Sequence, residues 1–201
     1  MIDFIKIRVI NTDPKVLLNN PLLEFKQEVS VKTGELSKNV EAIYKGLKFI
    51  VYASGVIIVQ GSLHKYMNNG KHNYDDFYRS QLAQVISEFL STFNLSDRNC
   101  TLVNVEVSAN VIPPIPSKEL INYMILHHRK VFKYGDVRNG HYKQIAYREY
   151  ILKAYDKSTQ YQLSTQKLQK VCFFEYFFQL FLLSDLLNIN TYFFLQTYFE
   201  L

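Results

Sequence analysis

Residues 101–111 alternate almost without a break, with Val103, Val105, Val107, Ala109 and Val111 on one side and Asn104, Glu106, Ser108 and Asn110 on the other. An apolar residue at every second position cannot line one face of a helix, whose period is 3.6, so this segment commits the chain to a sheet with one covered face. The same period opens the chain, where Ile5, Ile7 and Val9 alternate with Lys6 and Arg8. Residues 44–53 and 56–66, rich in β-branched and aromatic side chains, flank Ser54-Gly55 and predict a hairpin.

Three helices are expected between these strands. Asp13 before Pro14 starts a short one that Pro21 stops. An N-cap aspartate at 75 or 76 opens a longer one, whose Leu82, Val85, Ile86, Phe89, Leu90 and Phe93 recur at three and four and cover the sheet. Ser117, after the Pro113-Pro114-Ile115-Pro116 run, caps a third to about His128, and a last strand follows near 143–157. The order β-α-β-β-α-β-α-β predicts an α+β fold, a mainly antiparallel sheet with helices on one face; a doubly wound α/β fold is the alternative.

Charge divides the chain. All 23 bases lie at or before Lys170 and three of the 18 acids lie after it, leaving +8 on the first 170 residues and −3 on residues 171–201, of which 11 are Phe or Tyr. A basic body of residues 1–170 and an aromatic, base-free tail of residues 171–201 are expected, the body suited to nucleic acid. Cys100 and Cys172 form no CxxC or Cys/His cluster, and the opening MIDFIKIRVI has no apolar run of secretory type, so a cytoplasmic protein is expected. The absence of GxxxxGK[ST], GxGxxG, GxSxG and HExxH motifs argues against nucleotide hydrolysis, dinucleotide redox, α/β-hydrolase and zincin chemistry, and no nucleotide cofactor is expected.

Two groups of residues carry chemistry. His64, at the end of the second hairpin strand, and His72, in the loop after it, present imidazoles near one feature, and Glu106 is an oxygen ligand if its strand lies beside them. Histidine with carboxylate suits Mg²⁺ or Mn²⁺ better than a closed zinc site. Each taken alone is more often a solvated side chain. The segment 147–161 interleaves Tyr147, Tyr150, Tyr155 and Tyr161 with Arg148, Lys153 and Lys157. Aromatic faces among cations are what single-stranded nucleic acid uses for stacking and phosphate contact, although sheets also favour tyrosine for packing.

Three blocks in order, GSLHKYMNNGKHN at 61–73, VNVEVSANV at 103–111 and YILKAYDKSTQY at 150–161, together with the opening MIDFIKIRV, resemble the rolling-circle replication initiators of the filamentous-phage gene II type and their plasmid and prophage relatives. The resemblance implies an enzyme that nicks and rejoins one DNA strand at an origin through a tyrosine attached to the 5′ phosphate, with a divalent metal. It places the nucleophile at Tyr155, the loop histidine at His72 beside Asn73 and the acidic strand position at Glu106; read together with the residues above, Tyr161 is the second candidate tyrosine, His64 a third metal ligand, and Asn73, Arg148, Lys153 and Lys157 the DNA contacts. The implied partners are single-stranded or supercoiled origin DNA and host replication proteins, in a bacterial cytoplasm.

Two departures shape the expectation. The chain has no His-x-His pair, and family members of this type are commonly about twice as long, with a mixed charged stretch after the third block. A truncation or frameshift remnant at 171–201 is therefore expected. The alternatives are a catalytically incomplete single-stranded-DNA-binding module derived from such an initiator and a membrane-associated or assembly protein acting through the tail. Residues 176–184, the tail's longest apolar-leaning run, fall short of the roughly 20 residues a spanning helix needs.

Overall fold

The computed structural model describes residues 2–73, 75–135, 142–148, 150–156, 171–177 and 181–182. The chain forms two compact units, residues 1–105 with 179–201 and residues 106–178. Antiparallel sheet dominates, with a few helices, as the α+β reading requires. Among the described residues no helix is long and apolar enough to cross a membrane.

The first unit is a sheet in which β1 (Ile2–Val9), β2 (Lys26–Val29), β3 (Leu36–Tyr44), β4 (Leu47–Val51), β5 (Ile57–Gly61) and the start of β6 (Cys100–Val111) take the order β2-β3-β4-β5-β1-β6. The alternation in β1 does what it predicted, burying Ile5, Ile7 and Val9. β4 and β5 form the expected hairpin, with Phe49 opposite Val59 and Ile50 opposite Ile58. Three features differ from the sequence reading. β2 and β3 were not expected, because β2 is exposed along its whole length and shows no alternation. The second hairpin strand ends at Gly61, and Leu63–Met67 form a one-turn helix, α2, after α1 (Lys15–Leu18). The Ser62 side chain accepts the Lys65 N–H at 3.1 Å, and that cap turns the chain out of the strand. Finally, β6 is covered on more than one side, since Ser108 is buried as deeply as Val105 and Val107.

The long helix, α3 (Arg79–Thr92), starts later than expected. Gln81 reaches back to accept the Tyr78 N–H at 2.7 Å, so Asp75 and Asp76 stand outside the helix. It ends in a Schellman motif: Asn94 takes the left-handed conformation (φ 50°), the Leu95 N–H reaches the Leu90 carbonyl at 2.8 Å and the Asn94 N–H reaches that of Ser91. The apolar stripe of α3 buries Leu82, Val85, Ile86 and Phe89. Phe93, at its C-cap, meets Phe49 of β4 at 4.6 Å between ring centres.

The second unit holds α4 (Ser117–Tyr123), a two-stranded ribbon of β7 (Leu126–His127) and β8 (Lys130–Val131), and a sheet of β9 (Lys133–Tyr134), β10 (Tyr142–Ala146), β11 (Ile151–Asp156) and β12 (Val171–Phe177) in the order β12-β11-β10-β9. The single strand expected near 143–157 is therefore a hairpin, closed where the Tyr147 N–H meets the Tyr150 carbonyl at 2.8 Å. Likewise the helix expected to reach His128 stops at Tyr123. Buried Lys143 ends it, its ammonium taking the carbonyls of Asn122 and Met124 at 2.8 and 2.9 Å. A cation at a helix C-terminus satisfies carbonyls that have no partner within the helix. Ile121 of α4 packs on Ala154 of β11. Val171–Phe177 pairs along β11, with Cys172 opposite Tyr155. The strand β13 (Phe181–Leu182) pairs with β6 at Leu102 and Thr101 in the first unit.

Candidate functional site

Two constellations stand where the sequence placed chemistry, one in each unit. The first begins with Gly61 and Gly70, whose positive φ values of 148° and 81° let strand end and loop approach the turn at Lys45-Gly46. A Cβ at Gly61 would run into the Gly46 carbonyl oxygen, and one at Gly70 would crowd the Lys45 backbone. That close approach folds the 68–73 loop back over α2. His64 is fully buried on α2, its ring stacked 4.8 Å from that of Phe77 with 6° between planes.

One carboxylate holds the two histidines. Asp75 Oδ1 lies 2.7 Å from His64 Nε2 and 3.3 Å from His72 Nδ1. The Asn68 amide donates to the same oxygen at 3.0 Å and to the His72 carbonyl at 3.1 Å, and it lies 3.2 Å from His72 Nδ1. Asn73, expected as a DNA contact, is buried. The two histidines that the sequence sets at one feature meet at Asp75, which the sequence reading did not single out as their partner and whose spacing three residues after His72 was the available signal. Glu106, the expected acidic partner, is half-buried at the first position of the second unit.

Burial pushes the Asp75 carboxyl up, but its own backbone N–H, His64, Asn68 and His72 outweigh that and hold it below the ordinary carboxylate value. A carboxylate lowered in the folded state stabilises the fold above its unfolded value, near pH 4, and that contribution is lost as pH falls through the lower folded value. The thermal midpoint is therefore expected to drop more steeply below pH 4 in the wild type than in Asp75→Asn. Parallel curves for the two proteins would show that Asp75 adds nothing.

These residues are not a preformed metal cage. The nitrogens of His64 and His72 that face the carboxylate are engaged with Asp75 Oδ1. Among the described residues no group of three or more His, Cys, Asp and Glu is arranged to hold a metal ion.

The second constellation lies on the β10–β11 hairpin. Leu152 and Ala154 are buried on the side of α4, and alternation turns Lys153 and Tyr155 to the other side. There Tyr155 stands directly opposite Tyr142, and Lys153 opposite Gln144. The Lys153 ammonium lies 4.1 Å from the centre of the Tyr142 ring and 5.7 Å from that of Tyr155. A cation over a ring face is attracted by its quadrupole, and here it also sits close to a phenol. Tyr155 is half-buried. Arg148 is exposed in the turn between the two strands, and Lys157 and Tyr161 fall outside the described residues.

Two nucleophiles of the first unit, Cys100 and Tyr66, are disqualified by burial. Cys100 is fully buried and its thiol is pushed up to about 11, first by burial and then by Asp97. Tyr66 is fully enclosed, and burial pushes its phenol up to about 12.

The sequence matches no protein-family model and no curated protein.

Proposed function

We propose that this chain is a DNA strand-nicking and rejoining protein of the replication-initiator kind, with Tyr155 as its nucleophile. The observation that carries the reading is the pairing of Tyr155 with Tyr142 on the hairpin face turned away from α4, under the ammonium of Lys153. Two aromatic faces with a cation suit a single strand, whose bases stack and whose phosphates need positive charge. The basic body, +8 over residues 1–170, favours the same partner.

In the reaction the Tyr155 oxygen attacks the scissile phosphorus. A bond from the phenol oxygen to phosphorus forms as the bond from phosphorus to the 3′ oxygen breaks. The phenolic proton is given up to solvent and the departing 3′ oxygen takes one. Lys153 favours the step by stabilising the phenolate. The phosphotyrosine keeps the phosphodiester's energy, so attack by a 3′ hydroxyl reverses the step and reseals a strand. Arg148 and Lys157 belong to this reading as phosphate contacts, and Tyr161 as the tyrosine of a second cleavage. A divalent ion, Mg²⁺ or Mn²⁺, belongs to the proposal because the resemblance implies one, as do the bacterial cytoplasm and host replication proteins. Such an ion would supply positive charge to a scissile phosphate.

The test is incubation of the protein with supercoiled origin DNA, with Mg²⁺, with Mn²⁺ and with chelator. Relaxed circles and a detergent-stable protein–DNA adduct are expected with metal. Salt-dependent DNA binding without an adduct under any condition would leave the catalytically incomplete binding module.

A further inference from the structure

The ribbon β7–β8 has no part in the nicking site, yet it is built at some strain. Leu126 pairs with Val131 and His127 with Lys130, so His128 and Arg129 are the two central residues of its turn. Both are left-handed, with φ values of 43° and 64°. Such a turn favours Asn-Gly, and a histidine followed by an arginine is strained there. The ribbon is also tied down at its base. His127 Nδ1 lies 2.8 Å from the Tyr147 hydroxyl, which donates to the His127 carbonyl at 2.7 Å. Lys130 donates to the Ala146 carbonyl at 3.2 Å and lies 4.5 Å from the centre of the Tyr147 ring.

This held ribbon exposes aliphatic side chains beside cations. Leu126 and Val131, a cross-strand aliphatic pair, are 61% and 59% exposed, and Ile125 beside them is 63% exposed. His128, Arg129 and Lys130 at the tip are exposed as well, and the sequence from 118 to 138 carries five bases, Lys118, Arg129, Lys130, Lys133 and Arg138, against two acids, Glu119 and Asp136. The charge calls for an anionic partner. The aliphatic pair narrows it: a single strand is held on flat aromatic faces, whereas Leu, Ile and similar wedges act by entering between stacked base pairs.

We infer that the Leu126–Val131 ribbon is a second nucleic-acid contact, one that docks on duplex DNA with Arg129 on a phosphate and the Leu126/Val131 pair against the base steps. This rests on the reading of the protein as DNA-binding, but not on Tyr155 being a nucleophile.

The test uses the full chain, a short duplex, and its top strand alone, with binding followed by anisotropy across a salt series. Arg129→Gly removes the charge while relieving the turn, so the fold is not put at risk. Loss of one phosphate contact makes the log–log salt slope for duplex shallower by about 0.9, equivalent to about five-fold weaker binding near physiological salt. Single-strand affinity is expected to change by less than about two-fold, and Arg129→Lys to restore most of the duplex affinity. Leu126→Ser with Val131→Ser is expected to weaken duplex binding with the salt slope unchanged. Unchanged duplex binding in Arg129→Gly, equal losses on both DNAs, or no duplex binding by the wild type would each overturn the assignment. Adduct formation on the single strand is read in the same samples. A missing adduct with the duplex effect intact sinks the nicking chemistry and leaves the ribbon standing.

Discussion

Tyr155→Phe is expected to yield a folded protein that binds DNA as well as the wild type and forms no covalent adduct. The substitution removes one oxygen from a half-buried ring. The ring keeps its place opposite Tyr142, and β11 keeps its pairing with β10 on one side and β12 on the other. Stability and the hairpin register should therefore survive, while the only atom able to bond to phosphorus at that position is gone. The size of the effect follows from the chemistry. On the proposed mechanism the attacking oxygen carries negative charge, which the Lys153 ammonium, 5.7 Å from the centre of the Tyr155 ring, is placed to offset. Lys153→Gln is correspondingly expected to slow adduct formation without abolishing it. The readout is a labelled strand that stays with the protein band in detergent. A full-strength adduct in Tyr155→Phe would move the nucleophile elsewhere, with Tyr161 first in line.

Phe93→Ala is expected to be the most damaging substitution for stability in the first unit. Phe93 is fully buried, and its ring centre lies 4.6 Å from that of Phe49, 5.4 Å from that of Phe89 and 5.7 Å from that of Tyr44. It thus joins α3 to β3 and β4 at one point. Truncating a buried phenylalanine costs about 3–5 kcal/mol, through lost burial and the cavity left behind, and a domain has only about 5–15 kcal/mol to lose. Urea denaturation should show a much lower midpoint, with Phe93→Leu losing considerably less. An unchanged midpoint would mean that the aromatic cluster is not the unit's core.

Both predictions draw on residues that were visible before the fold was. Phe93 fell on the apolar stripe of a helix recognised by its spacing, and Tyr155 lay in a segment where tyrosines and bases interleave. Asp75 was harder. It read as a helix cap because Asp before an apolar periodic run usually is one, but Gln81 took part of that capping role and left Asp75 to the histidines. The ribbon at 126–131 was missed because its turn contains no glycine, asparagine or proline, and a helix begun at Ser117 had no local signal to stop. The stop comes from Lys143, some twenty residues further on.

By itself the sequence determined the α+β class, β1, the β4–β5 hairpin, the strand at 101–111 and the covering helix α3. These depend on period, and period is local: a two-residue or 3.6-residue repeat of apolar side chains can be satisfied by only one kind of backbone. Tertiary structure alone decided that Asp75 gathers His64 and His72, that Lys143 ends α4, and that Lys153 stands over both Tyr142 and Tyr155. Each of those is a polar or charged group meeting a partner beyond its own turn or strand. The physical reason is that such groups are stable wherever water or a partner satisfies them, so their placement follows from the chain's reversals and leaves no periodic trace in the sequence.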